Sequence, residues 1–186
     1  MNYGEELVYW YFRFNGFFPL ANFVIHSSTS NRYPSDCDVL AIRHPHVFED
    51  IGGQRGDWDN QLQNLLKFDR TLGVICEVKT GEVGEVFPER NVNAGVERFG
   101  FFADSSNAKC ALHECAQYSD ANYQIAKLLI ADCHNHDSNS YLFISLLHTR
   151  NFIKSRVRKY LQPKFAQRLF FKSTLLQEII WEINTE

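Results

Sequence analysis

Methionine is all but missing from these 186 residues, with Met1 the single copy. A core without flexible thioethers must be built from rings and branched aliphatics, and 16 Phe, 8 Tyr and 3 Trp supply the rings. That composition leans toward mixed α and β structure. Cysteine is short of a disulfide framework, because the five copies at 37, 76, 110, 115 and 133 are odd in number and irregularly spaced. Free thiols in a reducing cytoplasm follow. Excess positive charge is also lacking, since 19 Lys and Arg face 22 Asp and Glu for a net charge of −3. Contact with a polyanion must then come from a local basic surface.

An uninterrupted membrane-length apolar run is missing too. Leu7 to Ile25 comes nearest, but Arg13, Asn15, Gly16, Pro19 and Asn22 break it and would be costly in hydrocarbon. Glu5 and Glu6 oppose a signal peptide, whose leading segment should be basic. The length suits one domain over residues 1–186, with no repeat or interdomain linker.

What is present reads as alternating helices and strands. Residues 4–15 are apolar at almost every position after Glu6 and stop at Gly16, as a buried helix would. Strands are predicted over 21–26, 37–43, 71–79, 123–132 and 141–148. Helices are predicted over 91–103, 106–118, about 150–162 and 172–183. Residues 44–70 read as an insertion, with helix-like spacing at Trp58, Leu62 and Leu65/Leu66.

The strand at 71–79 carries the chemistry. Residues two apart project from one face, so Glu77 and Lys79 point together at the end of the apolar run Val74-Ile75-Cys76. Asp36 and Asp38 open a second apolar run, VLAI. Acids at the ends of two buried strands lie where an open α/β sheet presents its site. Phosphodiester hydrolysis assisted by a hard cation needs oxygen ligands, a means to activate water and positive charge at the phosphate. Asp38, Glu77 and Lys79 offer that set.

These residues resemble the PD-(D/E)XK nuclease superfamily, which pairs an Asp at the start of one core strand with Glu-x-Lys at the end of the next. The match is Asp38-Val39-Leu40-Ala41-Ile42 with Ile75-Cys76-Glu77-Val78-Lys79, and the element order over about 4–132 is similar as well. The resemblance implies a restriction-endonuclease-like α/β core. Its central mixed sheet would be flanked by helices, with an insertion between the second and third strands and extra C-terminal elements over about 140–183. It also implies Mg²⁺, or Mn²⁺ in its stead, held by Asp38, Glu77 and the Val78 carbonyl, with DNA as substrate. A homodimer or larger complex is compatible. Archaeal Holliday-junction resolvases add a Glu in the first helix, and Glu5 matches that position, with Glu6 next to it. Pro34 and Ser35 precede Asp36, the insertion is long, and no Gln follows Lys79 at a clear family spacing, so the subfamily stays open.

Each signal also has a plainer reading. Asp36 and Asp38 suit turns at a strand entrance, and Glu5 and Glu6 suit a helix N-terminus through its dipole. Arg156, Arg158 and Lys159, within the basic segment 150–164, would grip phosphates or simply solvate a helix face. Cys110, His113, Cys115, Cys133, His134 and His136 are residue types zinc accepts, against buried thiols and surface histidines. The expectation is a Mg²⁺-dependent deoxyribonuclease. Its rivals are an inactive nuclease-like fold serving nucleic-acid binding or protein assembly, and a zinc-organised interaction protein.

Overall fold

The computed structural model describes residues 1–26, 35–81, 86–132, 139–167 and 171–185. Its centre is a mixed six-stranded sheet flanked by helices. The strands are β1 (Phe18–Ile25), β2 (Ser35–Arg43), β3 (Thr71–Lys79), β4 (Gln117–Ser119), β5 (Tyr123–Ala131) and β6 (Leu142–Ser145). Antiparallel β1, β2 and β3 are followed by β5, which runs parallel to β3. The other edge of β5 is shared: β4 pairs antiparallel with its first half and β6 parallel with its second. A strand covered on both faces should be apolar throughout, and in β3 and β5 all but the first or last residues are buried.

One face packs against α1 (Tyr3–Phe14), α5 (Leu146–Lys159), α6 (Leu161–Phe165) and α7 (Thr174–Thr185). Aromatic rings supply much of that layer, including Tyr11, Phe12, Phe14 and Phe165. The other face packs against α3 (Glu89–Phe99) and α4 (Ser106–Glu114) through Val92, Val96, Phe99 and Leu112. Gly100 ends α3 in the left-handed conformation at φ 64°, which stops the helix short of the predicted 103.

Other boundaries also differ from the sequence reading. β1 begins at Phe18, since Pro19 and Leu20 pair with Ala41 and Leu40 instead of forming a turn. Residues 117–118, predicted helical, belong to β4. Residues 146–148, predicted as strand, open α5, because the Ser145 hydroxyl accepts the His148 N–H at 3.1 Å and caps the helix.

The segment between β2 and β3 holds the short α2 (Asn60–Leu65) and is fastened from two sides. Arg43, only 2% exposed, donates to the Asn15 carbonyl and lies over the Trp58 and Phe68 rings. Burial pulls its guanidinium pKa down to about 10. Asp57 accepts from Arg156 at 2.6 Å, Lys159 at 2.8 Å and the Tyr160 hydroxyl at 2.6 Å. Asp59 caps α2 and meets His148 Nε2 at 2.6 Å. No helix among the described residues is long and apolar enough to cross a membrane.

Candidate functional site

The site forms where β2 and β3 part. Their pairing runs from Arg43↔Leu72 to Val39↔Cys76, while β2 continues against β1 to Ser35. At Asp38 the phase of β2 resets. Val39 and Ala41 pack with α1, yet Cys37 joins Leu40 in the α3 layer, although strict alternation would separate those two. Opposite Asp38, Asn22 adopts a left-handed φ of 52°, and these two residues are the one pair missing from an otherwise continuous register. The Asp38 carboxylate then accepts the Val78 N–H at 2.7 Å, satisfying a backbone donor that the parted ladder would otherwise leave open.

This fork brings the three predicted residues together. Lys79 Nζ lies 3.0 Å from Glu77 Oε2 and 4.0 Å from Asp38 Oδ2. Glu77 is 6% exposed, and its second oxygen, Oε1, is buried with no hydrogen-bond partner. Two carboxylates therefore face one ammonium. Burial, with Asp38 nearby, raises the Glu77 pKa. Burial likewise raises that of Asp38, with Glu5 and Asp36 adding to it, against the opposing pull of the Val78 N–H and Lys79. Burial alone would lower the pKa of Lys79, but its hydrogen bond to Glu77 and the charges of Glu77 and Asp38 raise it overall. Cys37 and Cys76 border the site, yet burial pushes the Cys37 thiol up to about 12 and Cys76 well above its ordinary range. Neither thiol is a ready nucleophile.

Do these donors suit a hard divalent cation? Among the described residues no three His, Cys, Asp or Glu side chains gather as a complete metal cage. Mg²⁺ does not need one, since it commonly takes one or two carboxylates and keeps waters or substrate phosphates for the rest of its shell. The unpaired Glu77 Oε1, the adjoining Asp38 carboxylate and the intervening Val78 carbonyl are hard oxygen donors of that kind. The residues fit.

The other candidates fall elsewhere. Glu5 completes a capping box with Asn2, accepting its N–H at 3.0 Å, and Glu6 accepts from the Ser173 hydroxyl at 2.7 Å. Glu5 remains near enough for its charge to act on Asp38. The pattern Asn2-x-x-Glu5 is itself legible as a helix start. The basic trio does not form one phosphate-gripping face. Arg156, 5% exposed, and Lys159 turn toward Asp57, whereas Arg158 is exposed and its charge acts on Glu182 of α7. The reason is the carboxylate of Asp57, 99 positions away in sequence, which sequence spacing alone could not pair with α5. Of the zinc candidates, Cys110 and Cys115 are exposed free thiols and His113 lies on α4. Cys133, His134 and His136 lie outside the described residues.

No family model matches the chain, and comparison with curated proteins and with solved structures returns no match either.

Proposed function

We propose that this protein is a metal-dependent nuclease with a restriction-endonuclease-like core, hydrolysing phosphodiester bonds of DNA at Asp38, Glu77 and Lys79. One observation carries the reading. A buried carboxylate oxygen without a partner, Glu77 Oε1, lies in a site where two carboxylates share a single ammonium. An unpaired buried acceptor is expensive, and a cation would satisfy it. Asp38 and Glu77, with the Val78 carbonyl, would hold Mg²⁺ or Mn²⁺. The bound cation supplies Lewis-acid charge for the phosphate and for water activation. Lys79 holds its proton more tightly than an ordinary lysine, so near neutral pH it serves as a cation and not as a base. Its ammonium, relieved of neutralising both carboxylates, would stabilise the charge that develops on the phosphate oxygens. Glu5 acts at most through its field on Asp38, since its carboxylate closes the capping box.

The test is incubation with supercoiled, linear, single-stranded and branched DNA, with and without Mg²⁺. Cleavage should require the cation and vanish in Lys79→Ala, whose circular dichroism should show the wild-type fold, with melting lowered because Asp38 and Glu77 lose their shared ammonium. Cleavage undiminished by that substitution would remove the proposal. The rival reading, an inactive fold used for binding or assembly, draws on the 3.0 Å Lys79–Glu77 pair, which partly neutralises the site unaided. It predicts no shift in melting temperature on adding Mg²⁺ or Mn²⁺.

A further inference from the structure

A cavity of about 550 Å³ runs along α1 from Glu6 to Arg13. Tyr9, Trp10 and Phe171 form its aromatic walls, and the exposed side chains of Arg13 and Lys172 bring positive charge to it. Trp10 meets Phe171 edge to face at 5.9 Å, and the Arg13 guanidinium sits 5.1 Å from the Trp10 ring centre and 5.9 Å from that of Tyr9. The walls are braced from behind. Trp10 Nε1 donates to Ser173 Oγ at 2.9 Å, and Ser173 donates onward to Glu6, which fixes both ring and helix.

The cavity adjoins the catalytic candidates. Met1 lines it and places its amino group 4.0 Å from the Glu5 carboxylate. One residue before Glu5, α1 presses on the end of β3 so closely that a Cβ on Gly4 would lie 2.8 Å from Thr80 Cγ2 and 3.0 Å from Val78 Cγ1. Val78 separates Glu77 from Lys79. The Met1 end of the cavity is thus the end nearer β3, and from there the cavity runs along α1 to Arg13.

Aromatic faces combined with a guanidinium and an ammonium match one ligand chemistry, a planar nucleobase carrying a phosphate. The volume falls within the range of small-molecule pockets. We infer that this cavity receives an unstacked nucleotide of the nucleic-acid strand whose backbone crosses the Asp38–Glu77–Lys79 site. Its base would lie against Tyr9 and the Arg13 plane, and its phosphate against Lys172. The idea rests on the nuclease reading only for the direction from which the strand arrives.

The experiment uses fluorescence anisotropy of a labelled ten-nucleotide thymidine strand in EDTA, so that neither cleavage nor metal enters. The wild type should bind the strand. Tyr9→Leu and Arg13→Ala should each weaken binding roughly tenfold, the scale of losing one stacked base, while melting as the wild type does. Unchanged affinity in both variants, or no binding by the wild type, would overturn the assignment. Free thymidine monophosphate should compete far more weakly than unlabelled strand. Equal competition would assign the cavity to a free nucleotide and overturn its place beside a strand. Binding that depends on Tyr9 and Arg13 in a protein that never cleaves would sink the nuclease reading and leave the cavity standing. Cleavage by a protein whose binding ignores both residues would do the reverse.

Discussion

Two clusters of the same residue types behave in opposite ways. At the fork of β2 and β3, two carboxylates share one ammonium, both acids hold their protons unusually tightly, and one buried oxygen has no partner. Between the insertion and α5, one carboxylate faces a guanidinium, an ammonium and a phenol. Burial alone would raise the Asp57 pKa, but hydrogen bonds from Lys159, Tyr160 and the Gln54 N–H, with the charge of Arg156, hold it far below the carboxylate range. Glu77 and Asp57 are almost equally shielded from solvent. What differs is the ratio of anions to cations, which leaves the fork with excess negative charge and makes the other cluster a clamp.

The largest effect should come from breaking the clamp. Asp57→Ala leaves Arg156 buried without its carboxylate and should cost about 3–5 kcal/mol in urea unfolding. A loss below about 1 kcal/mol would mean that the ion pair is incidental. Next comes filling the fork. Mg²⁺ at a hundred times its dissociation constant should stabilise the wild type by about 2.7 kcal/mol, and Asp38→Ala should show no such gain. Smaller still is neutralising the fork without metal: Glu77→Gln should raise the melting temperature at pH 7 in EDTA by roughly 2–4 °C, about 1 kcal/mol for a chain of this size.

Acidity sharpens the contrast further. The Asp38 and Glu77 carboxyls bind protons more tightly folded than unfolded, so the stability they lend is complete below about pH 4 and is lost as pH rises through their raised folded values. Asp57 runs the other way. Its contribution is present above about pH 4 and is lost as pH falls toward its depressed folded value. In EDTA, Glu77→Gln should therefore flatten the decline of stability from pH 4 upward, and Asp57→Asn the decline below pH 4. Melting curves across pH 2–8 would show an unaltered profile in either variant if its cluster is misread.

The fork was legible in the sequence because its logic is local. Period-two alternation puts Glu77 and Lys79 on one face, and a buried run ending in charge marks the strand end. The alternation of helices and strands was legible from the same periodicity, and the mixed sheet they build matches what the resemblance implied of the α/β class. The clamp was not, because Asp57, Arg156 and Tyr160 meet only after the insertion folds back on α5. The extension of β1 was hidden for a related reason. Gly16 stops the first helix and Pro19 breaks the apolar run, so the strand is not legible before residue 21, until pairing with β2 draws Phe18–Leu20 into the sheet. At 146–148, Leu146-Leu147-His148 continue the run read as a strand yet yield to one serine cap, a choice that local hydrophobicity does not record.

The left-handed backbone at Asn22 also bears on how this protein behaves in a crowded solution. β1 forms one border of the sheet, and Phe18, Leu20 and Val24 are exposed along it. A long, flat, greasy border strand is a template on which a foreign strand can zip and seed fibrils. Here Pro19 offers no N–H for such pairing, and the left-handed φ of 52° at Asn22 interrupts the regular extended backbone midway along the strand. The irregular residue that faces Asp38 across the two strands thus doubles as a guard against templated aggregation, and a β1 regular throughout would leave a stickier rim.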